Sequence, residues 1–193
     1  MYISHISIKN YRNFGNDSFT TKLKKFTTII GENNIGKTNL LESIGLILSQ
    51  DITMFRKRIL QLDDINYKSR IKFKEDVLDT TIPSEYVKFP EVEVQLAFEE
   101  MSTKQLSVVG DWFSDNSMDK AKLTYLFRPA NGFNCKEWVE KQREYIQKIK
   151  EENKELQEEK LLNFIEFPIK NINISFMVGM TVLIVLILIF LEC

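Results

Sequence analysis

Gly31-Glu32-Asn33-Asn34-Ile35-Gly36-Lys37-Thr38 constrains this chain more than any other stretch, because it satisfies G-x-x-x-x-G-K-[ST] without a mismatch. Gly31 and Gly36 permit backbone turns that a Cβ would obstruct, so successive N–H groups can point at a phosphate. Lys37 places a cation against the β- and γ-phosphates, and the Thr38 hydroxyl is suited to ligate Mg²⁺. A helix opening at Lys37 would aim its positive dipole end at the same anion. The octapeptide therefore reads as a nucleotide-binding loop, and the chain as an α/β protein built around it.

Such a loop needs a strand before it and a helix after it. Phe26-Thr27-Thr28-Ile29-Ile30 is a short β-branched and aromatic run, which predicts a buried strand. Leu40, Leu41, Ile44, Leu46, Ile47 and Leu48 predict an apolar helical face, with Glu42, Ser43 and Gln50 at polar positions.

Upstream, Tyr2 to Lys9 alternates apolar and polar residues as a strand does, where a secretory leader would carry a continuous apolar core. Asn10 to Gly15 is a turn, Asp17 to Thr21 a second short strand, and Lys22 to Lys25 a basic connection. This is a β-meander feeding the loop. Downstream, Asp51 to Thr81 is charged and without clear period, the pattern of a surface loop, with Arg56, Lys57 and Arg58 as a DNA-facing alternative. Val92, Val94, Leu96 and Phe98 alternate as in a half-buried strand, which places Gln95 inside a strand rather than beside a metal. Ser102 caps a predicted helix through Leu106, Val108, Val109 and Trp112. A strand follows over Ala121 to Arg128. From Cys135 to Leu162 a long charged helix carries Trp138, Tyr145, Ile149 and Leu156 on one face.

The 193 residues suit a single domain, and the net charge of −1 gives no global nucleic-acid signature. Residues 1–75 are moderately basic, with thirteen Lys/Arg against seven Asp/Glu. Cys135 and Cys193 make no disulfide framework, which predicts a cytoplasmic setting. With His5 as its one histidine, the chain is a poor candidate for Ser-His-Asp or histidine-metal chemistry. GTPase motifs N-K-x-D and D-x-x-G are missing. Arg128 and Arg143 are too isolated to suggest a small-molecule kinase.

Two segments together point to a family. Ile6 to Phe14 (Ile-Ser-Ile-Lys-Asn-Tyr-Arg-Asn-Phe) and Ile30 to Glu42 are separated by fifteen residues. The pair resembles the amino-terminal half of an ABC-type (AAA-like) ATPase head of the RecF, SMC and OLD group, and is most similar to OLD-like ATP-dependent nucleases, some of which act in phage defence. The resemblance implies ATP and Mg²⁺ as cofactors, DNA as a partner and ATP-controlled DNA cleavage or processing as the family activity. It implies that Arg12 lies near the nucleotide and that Asn34 shapes the phosphate nest. Gly31, Asn33, Ile35, Gly36, Lys37, Thr38 and Asn39 complete the implied binding set, with Thr38 toward the metal. Asn39 and Glu42 are expected to pack or cap the following helix.

The resemblance predicts a partial ATPase domain over residues 1–168. A Ser-Gly signature loop, a Walker B Asp-Glu pair, a switch histidine and the acidic cluster of a nuclease domain do not occur in the sequence. ATP binding is thus expected, with hydrolysis slow or nil unless a second polypeptide completes the head. Residues 169–193 form an apolar tail, uncharged from Ile174 to Leu191. Those eighteen residues are near the lower limit for a membrane span. The tail allows a membrane anchor, a truncated or frameshifted end, or a strand over Leu186 to Glu192 resembling a degenerate Walker B. The alternative functions are a membrane-anchored nucleotide-binding module and a non-enzymatic partner-binding protein.

Overall fold

The computed structural model describes residues 1–48, 60–106, 113, 120–153, 157–168, 172–178 and 181–185. Among them six strands form one antiparallel sheet: β1 (Tyr2–Lys9), β2 (Phe19–Lys22), β3 (Val92–Glu99), β4 (Ala121–Pro129), β5 (Ile172–Val178) and β6 (Thr181–Val185), in the order β2-β1-β3-β4-β5-β6. The helices are α1 (Lys37–Leu48), α2 (Tyr67–Leu78), α3 (Thr103–Leu106), α4 (Cys135–Glu152) and α5 (Glu158–Leu161).

Period-two patterning fixes the register. Ile8 lies opposite Val94 and Ile6 opposite Leu96, while Val94 faces Tyr125 and Leu96 faces Leu123 on the next strand. All six are buried on one face of the sheet. A one-residue slip would turn this set to the other face, so burial holds the register. Helix α1 packs over β3 and β4 through Leu40, Ser43 and Leu46, with Ile44 and Ile47 half-buried. Leu41 and Leu48, expected on that face, are exposed.

Four further expectations are corrected. Residues 26–30 form no strand: Phe26 is 86% and Ile30 89% exposed. A five-residue run gains little from extended backbone unless a neighbour takes its ladder hydrogen bonds, and among the described residues no strand lies beside it. The stretch read as a surface loop contains α2, whose fully buried residues are Phe73 and Val77, four apart on one side. Asn66 caps this helix by accepting from the Ser69 N–H at 3.3 Å. Arg56, Lys57 and Arg58 lie outside the described residues, as do Val108, Val109 and Trp112.

The long charged helix stops at Glu152, and α5 follows separately. Its buried seam is Val139, Ile146 and Ile149, so Tyr145 is exposed, and Trp138 stacks on Phe73 at 5.8 Å. Arg143, a neighbour of that seam, donates to the carbonyls of Val77 (2.9 Å), Asp79 (2.7 Å) and Ile82 (2.9 Å), satisfying the end of α2. It is thereby structural. Finally, the described residues of the apolar tail, 172–178 and 181–185, are strands rather than a membrane-crossing helix. These two strands extend the sheet from β4, as their Ile, Val and Thr content favours. No helix among the described residues is long and apolar enough to cross a membrane. Residues 186–193, where the Walker B-like strand was expected, lie outside the described residues.

Candidate phosphate-binding site

The loop from Gly31 to Gly36 joins the exposed run after β2 to the first residue of α1. Asn34 (φ +65°) and Gly36 (φ +107°) both take left-handed backbone, with one residue between them. Asparagine tolerates that region better than most residues, and glycine adopts it freely. Such alternation turns neighbouring N–H groups toward one concave side, the geometry of an anion nest. At Gly36 a Cβ would also stand 2.2 Å from Asn13 Nδ2, so a side chain is excluded twice over.

Lys37 sends its ammonium back across the loop, donating to the carbonyls of Gly31 (2.7 Å) and Glu32 (2.5 Å). Neutral carbonyls are weaker partners for an ammonium than a phosphate would be. Thr38, in the first turn of α1, is exposed. Asn33 and Ile35 lie in the exposed part of the loop. These features fit a triphosphate chain with a hydroxyl-ligated cation. Among the described residues no group of three or more His, Cys, Asp or Glu is placed to hold a metal by itself.

Behind the loop a polar network holds α1 in place. Asn13 donates to the Ile35 carbonyl at 3.2 Å and accepts from Asn39 Nδ2 at 2.7 Å, so one side chain links the loop to the helix. Arg12 is the hub. Its guanidinium donates to Asp64 Oδ1 (2.8 Å) and Asn39 Oδ1 (2.8 Å), and pairs with Glu42. Burial works against the charged guanidinium, but the Asp64 hydrogen bond and the surrounding charges outweigh it and its pKa is raised. The Arg12 backbone is itself left-handed (φ +49°). It is held there by its N–H on the Asp64 carbonyl (2.7 Å) and by Asn66 Nδ2 on its own carbonyl (2.6 Å).

The structure thus brings Arg12, Asn39 and Glu42 together on the α1 side of the loop, and gives Asn39 a hydrogen-bonding role and Glu42 an ion-pairing role beyond packing. Gln95, expected in a strand interior, lies in β3 and donates from Nε2 to Thr124 Oγ1 at 3.3 Å. Sequence reasoning missed Asn13 and Asp64. Asn13 lies within the quoted Tyr-Arg-Asn-Phe segment, so a signal existed; Asp64, fifty-two residues from Arg12, had none.

Removing the hub has a definite expected cost. The Arg12 and Asp64 side chains are 26% and 10% exposed. Arg12→Ala leaves Asp64 and Glu42 without their shared cation, and this should lower stability by about 1–3 kcal/mol, below the range for fully buried pairs. A double-mutant cycle with Asp64→Ala, followed by urea unfolding, should give a coupling of about 1 kcal/mol or more. Additive losses would mean the contact is incidental.

A family model described as AAA ATPase domain matches residues 1–178. Among curated proteins, none matches this chain. Among solved structures, the chain is similar to one from work on ATP-driven dimerization and DNA-stimulated activation of SMC ATPases, at 19% identity and a TM-score of 0.40. The alignment covers 66% of this chain and 64% of that one, so this chain spans less than two thirds of that protein's length.

Proposed function

This chain belongs to the AAA ATPase domain family, and on that premise we propose that it binds ATP at Gly31–Thr38, with Mg²⁺ at the Thr38 hydroxyl. The observation that carries the reading is the loop itself: paired left-handed residues at Asn34 and Gly36, followed at once by Lys37 opening α1. Lys37 holds the phosphates. Gly31, Asn33, Asn34, Ile35 and Gly36 supply the backbone cradle, and the α1 N-terminus adds its dipole. Asn39 and Arg12 position the cradle from behind. Bound ATP and Mg²⁺ would supply an activated γ-phosphoryl group, and the chain's part is to bind and orient it.

The finer assignment is a head of the OLD, RecF and SMC type acting in DNA processing, with turnover by this chain alone slow or nil. A second polypeptide that completes the head is the partner this reading calls for, and the exposed run from Phe26 to Ile30, beside which no strand lies among the described residues, supports it.

Calorimetric titration of the full chain with ATP and Mg²⁺ tests the proposal. Lys37→Ala should weaken binding by roughly tenfold or more, the loss of one charge-assisted contact. Equal affinity in both proteins would overturn the site. Sustained ATP turnover by the purified chain, abolished by Lys37→Ala, would overturn the claim of slow hydrolysis and leave the binding claim intact.

A further inference from the structure

Apart from the loop, a second cavity of about 570 Å³, lined by both apolar and charged side chains, lies between α2 and the segment following α5. That volume is within the range of small-molecule sites. One wall is a helical stripe: Tyr67, Arg70, Ile71 and Lys74 recur at three, four and seven residues along α2 and so share a face. The facing wall includes Ile165 and Phe167.

Two cations four residues apart on one helix face repel each other. Lys74 carries the mark of this, since burial first and the Arg70 charge second lower its pKa. Its ammonium makes one hydrogen bond, to the Leu162 carbonyl at 2.8 Å, and among the described residues it has no carboxylate partner. An ammonium has three N–H donors, so two are available. Arg70 Nη1 bonds Asp63 Oδ1 at 2.8 Å, but that carboxylate's side chain is 91% exposed and screened by water. Arg70 Nε is buried without a hydrogen-bond partner. An anion held between the two side chains would relieve their repulsion and take up the two remaining Lys74 N–H donors.

Flat rings flank the same two cations. Arg70 Cζ lies 6.0 Å from the Tyr67 ring centre and Lys74 Nζ 5.9 Å from that of Phe167. Tyr67 is 66% exposed, an uncovered aromatic face beside a cation. Phosphate-seeking cations next to open aromatic faces are the elements that recognise a nucleotide unit. The rim selects further. Asp63, itself bonded to Arg70, and Glu166 bring the lining close to neutral, which suits a single phosphate better than a polyanionic strand.

We propose that this cavity is a nucleotide site separate from Gly31–Thr38, taking a nucleoside monophosphate with its phosphate between Arg70 and Lys74 and its base on the Tyr67 ring. The site uses none of the loop residues and does not depend on the function proposed for them.

The test is calorimetric titration of the full-length Lys37→Ala chain with AMP, with inorganic phosphate and with a ten-residue oligothymidylate as separate arms. The assignment expects saturable AMP binding that Lys74→Met and Arg70→Gln each weaken roughly tenfold. Tyr67→Ala, at an exposed position where folding is not at stake, should weaken AMP roughly tenfold and leave phosphate binding unchanged. Three results would overturn it: no AMP binding, AMP binding indifferent to Tyr67→Ala, or oligothymidylate binding more tightly than AMP. Phosphate binding as tightly as AMP would equally remove the base from the assignment.

Discussion

A Phe73→Ala chain will lose about 3–5 kcal/mol of folding stability, the usual cost of emptying a buried phenylalanine site. Phe73 projects from α2 into an aromatic cluster and meets Phe167 at 5.3 Å, Phe89 at 5.5 Å edge-on and Trp138 at 5.8 Å stacked. These partners come from three other segments, the connection before β3, helix α4 and the stretch after α5, so one ring fastens four pieces of chain. The cavity left by alanine would be lined on all sides by rigid rings that collapse poorly. Urea unfolding at equilibrium measures the loss through the midpoint at constant slope. A conservative Phe73→Leu should lose well under half as much. If alanine costs less than about 1 kcal/mol, the cluster is not the fastening described. Because α2 also carries Asn66 at its cap and Arg70 and Lys74 on its stripe, loosening it should disturb the Arg12 network and the second cavity together.

The second large effect belongs to Gly36→Ala. The residue combines φ +107° with a Cβ position 2.2 Å from Asn13 Nδ2 and 2.8 Å from its Cγ. An L-residue in that conformation is strained by on the order of 1–3 kcal/mol, before the clash is counted. Asn13 cannot simply retreat, because it holds the Ile35 carbonyl and Asn39. The strain would therefore be released by reshaping the loop, and ATP affinity should fall by about tenfold to a hundredfold. Gly45→Ala is the matched control. It sits in the same helix with nothing within 4 Å of its Cβ position. It should stabilise the chain by up to about 1 kcal/mol through helix propensity and leave ATP binding unchanged. Equal affinity for Gly36→Ala and Gly45→Ala would show that the loop conformation is irrelevant to the nucleotide.

Much of this protein was written locally. Alternation over Tyr2–Lys9 and Val92–Phe98 specified two strands and which side chains face the core, because period two is a property of the strand alone. Ala121–Arg128 was legible as a strand, but Thr124 and Leu126 are buried along with Leu123, Tyr125 and Phe127. The loop residues and the start of α1 were legible for the same reason: glycine freedom, a lysine and a helix N-terminus act within a few residues of one another.

Tertiary structure decided the rest. Phe26–Ile30 has the composition of a buried strand and is exposed, since pairing depends on a neighbour and no local pattern supplies one. Helix α2 hides in charged sequence because two apolar residues, Phe73 and Val77, suffice once an aromatic cluster awaits them. The seam of α4 takes in Val139 and Ile146 as well as the expected Ile149, while Trp138 is half-buried on Phe73 of α2 and Tyr145 is exposed: the packing partners, not the heptad-like spacing, determine which face is covered. The apolar tail enters a sheet as far as Val185 because β4 offers an open edge. Arg12 could be read as a motif residue, but its partner Asp64 could not, because a charge in a surface-like stretch becomes a clamp only when the fold carries it across the chain.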